Sequence, residues 1–109
     1  MKKLFISQPM NGKSDEEIKK ERQEALLQVA EVCGEEVELI DSFFENAPHD
    51  ARPLWFLGKS LELLSTADVA YFAEGWKNAR GCRIEHECAV QYGIDIVVEG
   101  NNHGKQKNQ

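Results

Sequence analysis

Residues 68–98 read DVAYFAEGWKNARGCRIEHECAVQYGIDIVV, and this stretch decides the fold. Asp68–Ala73 (DVAYFA) is a short apolar run with strand character, and Gly75 to Gly81 is a loop. A helical pattern follows from about Gly81 to Tyr92, Gly93 caps it, and Ile94–Val98 (IDIVV) is a second apolar run. Two buried strands joined through a helix form a β-α-β unit, whose strands run parallel.

Upstream, the same alternation continues. Lys3–Ser7 (KLFIS) reads as a buried strand stopped by Pro9 and Gly12. Ser14 and Glu17 form a capping box, Ile18, Ala25, Val29 and Val32 recur at helical spacing, and Gly34 closes a helix over about 15–33. Glu36–Asp41 (EVELID) is a second strand, followed by an irregular stretch through Pro48. Pro53 suits the first turn of a further helix, which ends near Thr66 with Leu54, Leu57, Leu61 and Leu64 on one face. The order β-α-β-α-β-α-β with apolar strands specifies a parallel sheet covered on both faces. The expectation is a small three-layer α/β domain, Rossmann-like or flavodoxin-like, with four parallel strands ordered 2-1-3-4. It spans residues 1–98; the polar tail 99–109 is expected to fray.

Composition agrees. A chain of 109 residues with 41% apolar and 29% charged residues is one domain. No apolar run approaches the about 20 residues of a membrane span, and the start is too short in apolar residues for a signal peptide. Three cysteines without a disulfide spacing suit a reducing compartment, so the expected location is cytoplasmic. A net charge of -6 argues against wrapping a nucleic-acid polymer by charge.

In an open parallel sheet, ligands bind beyond the carboxyl ends of the strands where strand order reverses. That edge collects Gln8–Gly12, Asp41–Phe44 and Glu74–Gly81, with the pocket between the first and third loops. On the helix beginning near Gly81, the apolar arc holds Ile84, Cys88, Tyr92, Ala89 and Cys82, and Glu85 falls inside it. Arg83, His86, Glu87 and Gln91 fall outside or at its edge. A carboxylate on a buried helix face costs several kcal/mol unless it is paired or used. Glu85 is therefore either an anchor held by an arginine or a backbone amide, or a nucleophile or general base.

The stretch Gly81-Cys82-Arg83-Ile84-Glu85, with Ala89 and Gly93, resembles the G-x-x-x-E-x-x-x-A-x-x-x-G signature of the nucleoside 2-deoxyribosyltransferase-like superfamily. Leu64-Ser65-Thr66-Ala67-Asp68-Val69 is similar to that superfamily's L-x-x-A-D-[VI] segment. Ile6-Ser7-Gln8-Pro9-Met10-Asn11-Gly12 and the Gly75-Trp76 pair resemble a small-domain branch designated DUF4406. The resemblance implies cleavage or exchange of the N-glycosidic bond of a 2′-deoxynucleoside or its 5′-monophosphate, with Glu85 attacking C1′ as the catalytic nucleophile. It implies substrate contacts from Ser7, Gln8, Pro9, Met10, Asp41, Gly75 and Trp76. The amides of Arg80, Gly81 and Cys82, with the Arg80 side chain, suit a 5′-phosphate. A homodimer or higher homo-oligomer closing the site is also implied, with no cofactor and no metal.

Three positions depart from the pattern. Ser60 stands where the superfamily usually carries an aspartate that protonates the leaving base, Ala79 replaces a phosphate-contacting serine, and Gln8 replaces a glycine that lets a ligand approach. Two functions stay open: the glycosidase or transferase, and a nucleotide-binding module that lost turnover.

The remaining candidates read as packing or surface. Asp68 begins a strand at the amino edge, away from the site, and is expected to bond free backbone groups there. Cys82, His86 and Cys88 do not converge as metal ligands, and Cys82 is expected to be a packed thiol. Trp55 and Phe56 are expected in a core or dimer contact; Phe43, Phe44 and Trp76 follow strand ends, where they can stack on a base. Lys19, Lys20 and Arg22 are expected on a solvated helix face.

Overall fold

A computed structural model describes residues 1–42 and 47–99. Phe43, Phe44 and nearly all of the polar tail lie outside the described residues. The elements are β1 (Lys2–Ser7), α1 (Asp15–Cys33), β2 (Val37–Leu39), α2 (Pro53–Leu64), β3 (Val69–Phe72), α3 (Arg80–Gln91) and β4 (Asp95–Val98), with a 3-10 turn at Trp76–Asn78 before α3. All strand pairs are parallel, and the order is β2-β1-β3-β4. This is the order expected from the sequence.

The strands alternate their side chains between two faces, and each face has its own core. Leu4 and Ile6 of β1, with Val69 and Tyr71 of β3, meet Ala25 and Val29 of α1. Phe5 of β1, with Ala70 and Phe72 of β3, meets Leu64 of α2 and Ala89 of α3. The sheet is therefore the middle layer of three. Ser7 has the same parity as Phe5, so its hydroxyl emerges at the carboxyl end of β1 on the α2/α3 face.

The helix limits follow local chemistry. At the start of α1, the Ser14 hydroxyl accepts from the Glu17 N–H and the Glu17 carboxylate accepts from the Ser14 N–H. Gly34 ends α1 in the left-handed region at φ 73°. β2 is shorter than the sequence suggests, three residues at the sheet edge. Asp68 binds at the amino edge as expected: its carboxylate accepts from the Lys3 N–H at 2.8 Å, and its own N–H donates to the Lys3 carbonyl.

Three expected faces differ. On α2 only Leu64 is buried, and Leu54 is 75% exposed. On α3 the buried line is Cys82, Glu85 and Ala89, while Ile84 and Tyr92 are exposed. The contact centre thus lies to the His86 side of the expected arc: His86 is half-buried, stacked on Trp76 at 4.1 Å and edge-on to Phe72 at 4.9 Å. On α1, Arg22 is buried rather than solvated. Among the described residues no helix is long and apolar enough to cross a membrane.

Candidate functional site

The order β2-β1-β3-β4 sends the chain outward from β1 in both directions, so the crevice opens above the carboxyl ends of β1 and β3. A cleft of about 630 Å³ occupies that place. Its floor is the end of β1, one wall is the start of α3 with the turn before it, and the other is the first two turns of α2.

Of the residues singled out from the sequence, Ser7, Gln8, Pro9, Met10, Gly75, Arg80, Gly81, Cys82 and Glu85 all line this cleft. Asp41 and Trp76 do not. Trp76 packs against His86 and Phe72 behind the α3 wall, and Asp41 is exposed beside Arg22.

Glu85 is 7% exposed. Its Oε1 accepts a 2.6 Å hydrogen bond from the Ser7 hydroxyl. Ser60, from α2, lines the same cleft and its hydroxyl also favours the charged form of the carboxylate. Among the described residues neither an arginine nor a backbone amide holds it, so the anchoring expected as one alternative takes a different form: the Ser7 hydroxyl of β1, with Ser60 of α2 acting in the same direction. Burial is the largest influence and pushes the Glu85 carboxyl above its ordinary value, with the two hydroxyls opposing. Among the described residues Glu85 is the only carboxylate that lines the cleft.

Cys82 is packed, as expected, and burial raises its thiol. Gly75 adopts φ 88°, a left-handed conformation that favours glycine, and a Cβ there would make only ordinary contact with Pro9 at 3.5 Å, so the backbone angle rather than space calls for glycine beside the cleft. A Cβ on Gly81 would meet open space. Among the described residues no side chain caps the start of α3.

The Gln8 side chain does not crowd the cleft as its size suggests. It is drawn onto α1, where Oε1 accepts from Arg22 Nε at 2.6 Å and Nε2 donates to Glu21 Oε1 at 2.7 Å. Arg22, 5% exposed, lines the cleft and was hidden from sequence reading by its charge. A signal existed: Ile18, Arg22, Ala25 and Val29 form one stripe at helical spacing, and Arg22 fills its gap. Ser42 and Ser60 line the cleft as well; the departure at position 60 marks the second, and the first lies in the Asp41–Phe44 segment expected at this edge without having been singled out. Among the described residues, no three His, Cys, Asp or Glu side chains converge as metal ligands.

Fold and cleft together define a small doubly wound α/β domain with one buried carboxylate at its topological switch point. A family model described as Domain of unknown function (DUF4406) matches residues 2–98, and the chain belongs to that family. Comparison with curated proteins and with solved structures gives no match.

Proposed function

We propose that the protein cleaves or exchanges the N-glycosidic bond of a 2′-deoxynucleoside or its 5′-monophosphate, with Glu85 as the nucleophile. The observation that carries this reading is the 7% exposed Glu85 carboxylate inside a ligand-sized cleft, oriented by Ser7 at 2.6 Å and matched by no cation among the described residues. A buried carboxylate without an ion pair costs folding stability, and groups retained at such a cost cluster at sites of chemistry.

The ionised carboxylate attacks C1′ as the bond to the base breaks, and the bonding pair leaves with the base, which takes a proton from water. A glycosyl ester on Glu85 results. Water, or the nitrogen of a second base, then attacks C1′ and frees the carboxylate. The ester divides one difficult displacement into two easier ones. Positive charge developing at C1′ favours ionised Glu85 at the moment it is needed. The uncapped start of α3 and Arg80 support the placement of a 5′-phosphate at that wall.

One observation favours the second reading, a nucleotide-binding module without turnover: Ser60 occupies the acid's position, and among the described residues the cleft offers no other carboxylic acid. A positioned general acid is worth about 10²–10⁴-fold, so the leaving base here receives little help.

Base release from deoxynucleosides and their 5′-monophosphates, followed by HPLC with and without a second free base, separates the readings. Release that disappears in Glu85→Ala supports the glycosidase, and exchange with the free base identifies transfer. Silence in wild type with release gained in Ser60→Asp supports a pocket that lost its acid. Silence in all three folded proteins leaves the binding module.

A further inference from the structure

The loop from Gln8 to Lys13 joins the end of β1 to the start of α1, and it carries Pro9, Met10 and Asn11 along the cleft. A turn shapes it, closed by the Lys13 N–H donating to the Met10 carbonyl at 3.2 Å. Gly12 takes φ 79° in that turn, a conformation that glycine adopts without strain. Both ends of the loop are tied to one side chain. At the first residue, Gln8 Nε2 donates to Glu21 Oε1 at 2.7 Å. At the last, Lys13 Nζ donates to Glu21 Oε2 at 2.8 Å. Glu21 stands on the second turn of α1, half-buried, and does not itself line the cleft.

The chemistry of this clasp is narrow. Gln8 brings an NH2 and Lys13 an ammonium, so both ends present hydrogens. A carboxylate has an acceptor oxygen for each. The Gln8 amide is held in this orientation because its carbonyl accepts from Arg22 Nε at 2.6 Å. The two ties differ in strength. Lys13 and Glu21 keep 26% and 34% of their side-chain surface in water, where an ion pair contributes little. Gln8 is 6% exposed, and a bond from a buried amide to a charged oxygen contributes more.

Given the proposed nucleoside or nucleotide reading of the cleft, on which this rests, we infer that Glu21 is a positioning residue. By holding Gln8 and Lys13 at once, it fixes Pro9, Met10 and Asn11 where they meet the ligand. A loop ordered before the ligand arrives loses less entropy on binding, so opening the clasp weakens binding and leaves the chemistry at Glu85 in place.

The test compares Glu21→Gln, Lys13→Met and Lys13→Arg with wild type. Deuterium uptake by the amides of Met10 to Lys13 reads the loop without any ligand. Calorimetry with the four common 2′-deoxynucleosides and their 5′-monophosphates reads affinity, each protein also carrying Glu85→Gln to prevent turnover. Base release without that change reads KM and kcat. Glu21→Gln has one acceptor oxygen for two donors, so loop uptake and Kd each rise about 10-fold. KM rises with Kd, and kcat stays within about twofold. Lys13→Met cuts the weaker tie, for about threefold, and Lys13→Arg restores wild-type behaviour within about twofold.

Loop uptake unchanged in Glu21→Gln, or raised only in step with that of β3, would overturn the assignment. Tighter monophosphate binding in Glu21→Gln would overturn it too, because Lys13 would then be a phosphate contact that Glu21 restrains. Binding that is present and equal in all four proteins removes the positioning role and leaves the nucleoside reading standing. No binding of any compound, with loop uptake raised in Glu21→Gln, does the reverse: the clasp stands and the nucleoside reading falls.

Discussion

Glu85 holds its proton more tightly in the folded protein than in the unfolded chain, because burial outweighs the Ser7 and Ser60 hydroxyls. Two consequences follow at this residue. Under the proposed reaction the nucleophile is the ionised form, so the rate rises with pH along an acid limb lying above the ordinary glutamate value of 4.5. The Ser7 hydroxyl favours the charged form, so Ser7→Ala moves that limb to higher pH and lowers the rate below it by about 10-fold, read from a pH–rate profile. For stability, the sign is opposite to that of a paired carboxylate. Below 4.5 both states are protonated and the full stability is present. As pH rises through the raised folded value, the folded state must give up a proton that it holds tightly, and stability falls. Glu85→Gln lacks that decline. At neutral pH it melts higher than wild type, by about 4–8 °C for each 1 kcal/mol recovered, and the difference between the two proteins shrinks toward acid. The charge on Glu85 was legible in the sequence because a carboxylate interrupted an apolar arc. Its partners were not, since Ser7 lies 78 positions away and hydroxyls at that distance carry no spacing signal.

Among the elements, α1 divides what sequence reading can reach from what it cannot. Its two limits were legible, because the capping box at Ser14 and Glu17 and the left-handed Gly34 are local devices. A Cβ at Gly34 meets nothing within 4 Å, so Gly34→Ala incurs only the backbone penalty of φ 73°. That amounts to about 1 kcal/mol, measured by denaturant unfolding with activity unchanged. The inward face of α1 was only half legible. Arg22 fits the apolar stripe by position and contradicts it by charge, and charge normally wins. It loses here because the Gln8 carbonyl accepts from Arg22 Nε, and the charge of Asp41, from another segment, opposes part of what burial does to the guanidinium. The same rule explains α2 and α3: periodicity identifies an amphipathic face, while the neighbouring layers decide how far that face is covered. Tyr92 is 82% exposed and His86 half-buried for that reason alone.

For the molecule as a whole, the topology was legible because four apolar runs alternating with helices leave few parallel arrangements. Adjacent residues of β1 serve opposite layers, which makes the architecture separable by mutation. Leu4 belongs to the α1 core and Phe5 to the α2/α3 core, and both are essentially unexposed. Leu4→Ala and Phe5→Ala each destabilise the fold, by about 2–5 and 3–5 kcal/mol in denaturant unfolding. Only Phe5 also lines the cleft, so ligand affinity in the proteins that remain folded falls for Phe5→Ala and not for Leu4→Ala. The stripe on α1 joins the two functions that Leu4 and Phe5 keep apart. The same turns that seat Ala25 and Val29 against the sheet carry Arg22 to the cleft lining, so filling the cleft bears on the helix that covers the far face. Occupancy is then readable at a distance, as slowed deuterium uptake by the backbone amides of Val29 to Cys33. Saturation at 100 times Kd slows uptake by about 100-fold wherever exchange requires global opening.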